Sequence, residues 1–261
     1  MNQFDFNWGC TNRELVIYIP NFSRKHLLIP TLHRFKTSVP DNKWLIVVIN
    51  DRREENLNDL ESFNLKWFTF EHPNKDEMNG CLLRNYFIKR CQSKWLMTRD
   101  PEICLEGDDI IANVINLEDV VYRPRFMVEL YEQETQRIID DPFIKLDELP
   151  ILRSWQVTNT NYQAFHNGCA VRTQRLKNMR GYEEDFKDGY GWEDVNLLER
   201  LKLSNIPIIV DDKVTGFHIN HPIIRKFHRT ILSNEIIYKR LKQNLQITAN
   251  QNRVWGEHLN G

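Results

Sequence analysis

Two adjacent carboxylates, Glu193 and Asp194, follow the glycine-aromatic run Gly189-Tyr190-Gly191-Trp192. Val195, Leu198 and Leu201 then recur at helical spacing, which predicts an amphipathic helix with both acids in its first turn. Free backbone N–H groups in that turn favour negative charge. A loop that bends on Gly189 and Gly191 and carries Tyr190 and Trp192 can hold a sugar ring against the acids. A carboxylate so placed can take the proton of an attacking hydroxyl. Acids at a helix start are also ordinary caps, but aromatic side chains beside glycines are costly to expose unless they bind something.

Two further clusters carry metal-ligand chemistry. Asp100-Pro101-Glu102 puts two oxygen ligands at i and i+2 just past the apolar run Lys94–Thr98. Such a pair can share one divalent cation, with Mg or Mn as the natural guest. The cation would bridge two phosphates and neutralise a diphosphate leaving group. Taken alone, the same residues make a polar turn with a proline break. In Gly216-Phe-His218-Ile-Asn-His221, a histidine at a strand exit can complete the shell through a ring nitrogen. Both histidines can address one site only if the chain turns between them, and in isolation they read as surface or core residues.

The elements needed to position these groups are legible in the first half of the chain. Leu15–Ile19, stopping at Pro20, Trp44–Ile49, ending at Asn50-Asp51, Trp67–Phe70 and Lys94–Thr98 read as strands. Between them, Ile29–Ser38 suits a short helix with Pro30 in its first turn, and Asn79–Cys91 a longer one. Strands that are apolar throughout and alternate with helices imply a parallel sheet covered on both faces. Ligands in such sheets bind beyond the carboxyl ends of the strands, where Pro20, Asp51 and Asp100 fall. Neither a glycine-rich dinucleotide fingerprint nor a P-loop is present, so phosphates must be held another way, most simply by a metal.

From Asp119 to Asn167 the pattern weakens: Val120–Tyr122 and Arg125–Leu130 suggest strands, and Asp140–Leu149 a loop-rich surface. Ala164–Val171 reads as a strand leading into a helix, Ile206–Val210 and Val214–His218 as two more strands, and Ile223–Leu245 as a helical tail.

Composition bounds the rest. The 261 residues are 41% hydrophobic and 27% charged, with a net charge of −1, as expected of a soluble globular protein. From Pro222 onward, seven basic residues face two acidic ones, a local +5 that suits a solvated helix face better than a polyanion site. Five cysteines with no C-x-x-C pair read as reduced structural thiols. No signal peptide and no run of ~20 apolar residues is visible, so the expected location is cytoplasmic, or peripheral to a membrane.

Taken in order, these residues resemble a glycosyltransferase of the GT-A fold. The likeness is to the broad family-2 group, with a second half similar to the galactosyltransferase and chondroitin-polymerase type. The segments that carry it are Asn167–Arg172, Gly181–Phe186, and Gly189–Asp194 followed by Leu198, Arg200 and Leu201. Ile19-Pro20 with Arg24 and Leu27, Leu83-Arg84-Asn85, Asp100–Glu102 and Asn250–Gly256 add weaker matches. The resemblance spans nearly the whole chain and implies one α/β domain over 1–261, a Rossmann-like, mixed, mostly parallel sheet with helices on both faces. Residues 1–110 would bind the nucleotide-sugar, 111–222 the acceptor, and 223–261 form the helical tail.

It further implies that Asp100, Glu102 and His218 bind Mn or Mg, which grips the diphosphate of a uridine nucleotide-sugar. Asp51 would contact the base, and Pro20, Arg24 and Arg84, with Asp100, would line the donor site. Asp194 would be the general base of an inverting transfer to a glycan or glycoconjugate hydroxyl, with Glu193 orienting the reactants and Tyr190 and Trp192 forming the acceptor platform. Three positions depart from the group: Glu102 stands where Asp is usual, Trp192 where glycine is common, and Phe87 where a glycine often follows the Arg-Asn pair. A helix N-terminus should also lower the pKa of Asp194, whereas a base is better served by a raised one. The rival expectations are a non-catalytic binder of nucleotide-sugars or glycans on the same fold, and a glycosyltransferase acting on nucleic acid.

Overall fold

The computed structural model describes residues 13–51, 56–70, 80–158, 167–186, 191–221, 227–244 and 246–257. Its first half runs β1 (Leu15–Asn21), α1 (Lys25–His33), β2 (Trp44–Asp51), β3 (Leu65–Phe70), α2 (Gly80–Arg90) and β4 (Trp95–Arg99). The order β3-β2-β1-β4 is parallel throughout. β2 is buried along its whole length, and β1 at every residue but Pro20, because both faces are covered. Val16, Tyr18, Val47 and Ile49 face the core that contains Phe87 of α2. Leu15, Ile17, Ile46 and Val48 face a second core with Leu28 and Leu32 of α1.

Beyond β4 the chain forms β5 (Ile103–Gly107), α3 (Ile110–Ile115), β6 (Val121–Leu130), α4 (Thr135–Asp140), β7 (Ile151–Gln156), β8 (Asn167–Arg172), α5 (Thr173–Asn178), α6 (Glu193–Leu203), β9 (Ile208–His218) and α7 (Phe227–Gln243). These strands extend one nine-stranded mixed sheet in the order β3-β2-β1-β4-β8-β6-β9-β5, with β7 paired on β6. Among the described residues, no helix is long and apolar enough to cross a membrane.

Several elements differ from the sequence reading. The first helix is Lys25–His33 rather than 29–38, so Pro30 lies inside it. The buried stripe of Leu27, Leu28, Thr31 and Leu32 offsets the one intrahelical bond that proline removes. The two strands expected between 120 and 130 are one, β6, whose register with β9 shifts between Pro124 and Phe126. Proline has no N–H for the ladder, and a bulge accommodates it. The two later candidates are likewise joined in β9, the exposed Asp212 and Lys213 interrupting the apolar pattern without ending the strand. The segment 140–149 is less of a surface than expected, since Leu146 and Leu149 are buried with Ile138 of α4.

Candidate active site

Register fixes the floor of the site. Asn21 pairs with Asn50 and Tyr18 with Thr98, so the ends of β2, β1 and β4 form one edge carrying Asp51, Pro20 and Asp100. Asn21 fastens the turn out of β1: its Nδ2 donates to Asn50 Oδ1 (2.8 Å), and its Oδ1 accepts from the Arg24 N–H (3.1 Å). Asp51, the last residue of β2, is buried.

Glu102 reaches its place through the β5–β9 ladder. Ile103 pairs with His218, and the Ile219 N–H donates to the Glu102 carbonyl at 3.0 Å. The chain turns after β9, which carries His221 back to the same carboxylate. Glu102 Oε1 accepts from Arg24 Nη1 at 2.6 Å and lies 3.1 Å from His221 Nε2 and 3.8 Å from His218 Nε2. One ligand atom from each of Glu102, His218 and His221 falls within a 4.8 Å group. Glu102 Oε2 and His218 Nδ1 are buried without a hydrogen-bond partner, as ligands awaiting an ion would be. Burial works against the Glu102 carboxylate, yet the two imidazoles beside it and the charge of Arg24 hold its pKa well below the usual range.

Asp100 stands apart from that three-residue group. Its Oδ1 is 3.9 Å from Arg84 Nη2, and burial, with Glu102 nearby, pushes its pKa up to about 6. The sequence pattern paired Asp100 with Glu102 and His218. Glu102 and His218 do come together, and the turn after Ile219 adds the second imidazole, His221, to them.

Arg84 joins the metal side to the helix of paired acids. It is 8% exposed and its guanidinium lies 5.6 Å from the centre of the Tyr182 ring. Burial would weaken its charge, but Tyr18, Tyr182, Glu193 and Asp100 around it raise its pKa further. Next to it, Asn85 Oδ1 accepts from the Tyr182 N–H (2.7 Å), and Nδ2 donates to the Tyr182 carbonyl (2.8 Å) and Glu184 Oε1 (2.8 Å). Gly181 permits this contact: its φ is +63°, and a Cβ there would come 2.1 Å from Asn85 Oδ1.

Glu193 and Asp194 open α6 as expected. Glu193 is buried, and burial, then the charges of Asp194 and Asp100, push its pKa up to about 7 against the pull of Arg84. Asp194 Oδ1 accepts from the Val195 N–H at 2.8 Å. The expectation of a lowered Asp194 pKa is reversed: burial raises it, and the Val195 N–H, Arg84 and Arg123 only partly oppose that. Desolvation outweighs the helix terminus because the first turn of α6 packs against the protein, with Glu193 and Asn196 buried and Asp194 half-buried.

Gly191 and Trp192 precede α6 with φ of +89° and +74°. Trp192 thus occupies a left-handed position that glycine takes without cost, and its ring stacks on Tyr238 of α7 at 4.8 Å. Tyr190 lies outside the described residues. Arg24, Arg84, Asp100, Glu102, His218, Glu193 and Asp194 therefore form one electrostatically connected cluster, while Pro20 and Asp51 sit on the sheet edge beside it.

Sequence reasoning missed Arg123, which is fully buried on β6 and whose charge reaches Asp194. An arginine inside the apolar run Val120-Val-Tyr-Arg123 was the signal available.

No protein-family profile and no curated protein matches the sequence. Solved structures do. The Staphylococcus aureus TarS 1–349 complex with UDP-GlcNAc superposes with TM-score 0.54 at 15% identity, over 82% of this chain and 60% of that one. A Pyrobaculum calidifontis mannosyltransferase bound to GDP-Man and Mn2+ gives 0.53 at 13% identity, over 84% and 60%. GalNAc-T7 with UDP, GalNAc and Mn2+ gives 0.59 at 11% identity, over 89% and 48%. The chain matches 60% or less of the length of each of these three. The architecture expected from the sequence is the one found: this chain has the GT-A fold of those glycosyltransferases.

Proposed function

We propose that the protein is an inverting glycosyltransferase that moves a sugar from a nucleotide-sugar, most simply a UDP-sugar, to a hydroxyl of a glycan or glycoconjugate. The observation that supports this reading is Arg84, which lies 3.9 Å from Asp100 and whose charge also acts on Glu193 and Asp194. In this reading Asp100 and Arg84 serve the leaving group and Asp194 the acceptor. The bound nucleotide-sugars and nucleotide of the structural neighbours support the same class of donor.

In this reading the donor lies across the ends of β1, β2 and β4, with Asp51 at the base, Pro20 beside it, and Arg24 and Arg84 against the diphosphate. Glu102, His218 and His221 would hold a divalent cation. Two imidazoles with one carboxylate suit Mn better than Mg, which prefers oxygen ligands. When bound, the ion would supply charge neutralisation to the departing diphosphate. Arg24, which donates to Glu102 Oε1, would be the guanidinium nearest both the cation and the phosphates. Asp194 receives the acceptor proton. Its raised pKa makes it a stronger base than a surface aspartate, and Glu193 orients the reactants. Trp192 and Tyr190 form the acceptor platform.

Among the tail's basic residues, Lys239, Arg240 and Lys242 pair with Glu235, Asp185 and Glu199. That reduces the charge available to a polyanion and weighs against a nucleic-acid acceptor.

The test is a screen of nucleotide-sugars by thermal shift with and without Mn, followed by turnover of each ligand found. Asp194→Asn should keep donor binding and lose roughly 10²–10⁴-fold in transfer. Unchanged transfer in that variant refutes the base assignment. Donor binding without turnover in the wild type would instead make the protein a binder.

A further inference from the structure

The C-terminal helix grips the loop that leads into the paired acids, and it does so at a backbone position the loop should resist. Asn234, fully buried on α7, donates from Nδ2 to the Gly191 carbonyl at 3.3 Å. One turn further along, Tyr238 stacks on Trp192, with ring centroids 4.8 Å apart and planes 23° apart. Tyr238 is itself fixed: its hydroxyl donates to Glu199 Oε1 on α6 (2.8 Å) and accepts from Lys242 Nζ (2.9 Å). Lys242 Nζ also lies 3.0 Å from Glu199 Oε1, which closes the triangle.

Trp192 has φ of +74°, a conformation that a bulky side chain holds only when its surroundings impose it. Its carbonyl accepts the first turn's Asn196 N–H at 3.0 Å. The direction of that carbonyl sets the direction in which Glu193 and Asp194 leave the helix. A ring clamped from α7 thus bears on the pose of both carboxylates.

We propose that Tyr238, with Asn234, is a positioning residue for the transfer reaction, acting through Trp192 and Gly191 on Asp194. This rests on the glycosyltransferase reading above for its catalytic consequence, though not for the existence of the brace. The stacked ring carries the effect, and the phenolic hydroxyl only anchors it. Phenylalanine should therefore serve at 238 where an aliphatic residue should not.

The experiment compares Tyr238→Leu and Tyr238→Phe in the full chain. It measures kcat and donor KM for transfer, and amide hydrogen exchange across residues 191–197. In Tyr238→Leu, kcat should fall about 10- to 100-fold, as a displaced base demands, with donor KM unchanged within about twofold. Exchange at 192–196 should speed up while that of α2 and β1–β4 stays the same. Tyr238→Phe should restore both. Should Tyr238→Leu not fold, Asn234→Ala removes the other α7 contact to the loop and is held to the same readouts. The proposal is overturned if kcat and local exchange match the wild type, if donor KM rises in step with the loss of kcat, or if Tyr238→Phe is as impaired as Tyr238→Leu. A wild type that turns over no nucleotide-sugar defeats the glycosyltransferase reading, and the exchange measurement still decides the brace.

Discussion

Glu193→Gln should make this protein more stable in mild alkali, and the size of the effect follows from where the carboxyl sits. The folded state raises the Glu193 pKa from an ordinary 4.5 to about 7, chiefly because burial disfavours the charged form. A carboxyl with a raised folded-state pKa contributes fully below its unfolded value. That contribution is lost as the pH climbs through the folded value. Between about pH 4.5 and 7 the native protein keeps a proton that the unfolded chain has already released, so each rise in pH favours unfolding. At 1.36 kcal/mol per pKa unit, the loss comes to about 3 kcal/mol by pH 8. Glutamine has the same shape and nothing to ionise, so the variant escapes that loss. For a chain of this size, 3 kcal/mol corresponds to roughly 6–12 °C in Tm. Thermal unfolding of both proteins from pH 4.5 to 8.5 should give curves that separate as the pH rises, with Glu193→Gln the more stable at the alkaline end. A Tm difference that does not change across this range would refute the burial argument. A difference that widens toward acid would reverse its sign.

The same pair predicts the acid limb of activity. Burial raises the Asp194 pKa and the charge of Glu193 opposes a second carboxylate beside it, so neutralising Glu193 should move the acid-side fall of the wild-type rate to lower pH; a pH–rate profile of kcat/KM checks this. For the cation site, His221→Ala and His218→Ala should each weaken Mn binding measured by calorimetry without acceptor or donor, and about 10-fold or more is the expected loss for one ligand of three. An unaltered titration removes that histidine from the shell. Gly181→Ala should lower stability by about 2–4 kcal/mol, because its φ is +63° and its Cβ would come 2.1 Å from Asn85 Oδ1. A near-wild-type denaturation midpoint would show that Asn85 can move aside.

The parallel half of the sheet was legible because its strands are apolar on both faces and end in recognisable breakers, Pro20, Asp51 and Pro101. β7 was not, since five of its six residues are exposed and no alternation marks them. The paired acids of α6 could be placed from helical spacing alone, as the periodic Leu198 and Leu201 are fully buried. What spacing could not give was the neighbour of each charge. His221 follows the strand end by three residues, and only the turn after Ile219 aims it at Glu102. The direction of the Asp194 shift went wrong for a related reason: a helix start can be read from sequence, but the water it excludes cannot. Glu183 and Glu184 show the opposite outcome. They lie in a segment that carries the family resemblance, and Glu183 accepts from the Asn250 N–H and Glu184 from Asn85 and the Gly256 N–H, so these contacts tie the C-terminal segment to the fold.

Charge balance links the two ends of the crevice more firmly than any single contact. Asp100, Glu102, Glu193 and Asp194 are four interacting carboxylates, Glu102 and Glu193 buried and the other two half-buried, and Arg24 and Arg84 bring two guanidinium groups. Uncompensated negative charge away from water is costly. The crevice relieves it in part by holding Asp100 and Glu193 at raised pKa values. A divalent cation between Glu102, His218 and His221 would remove the excess without a proton, and would leave Arg24 and Arg84 for an incoming diphosphate. The same imbalance argues against a site made to bind an anion by itself, because a diphosphate entering without the cation would add charge of the sign already in surplus. Cation and nucleotide should therefore bind cooperatively. Calorimetry of UDP at rising Mn concentration should show UDP affinity increasing with Mn, and equal UDP affinity with and without Mn would mean that the two guanidinium groups suffice.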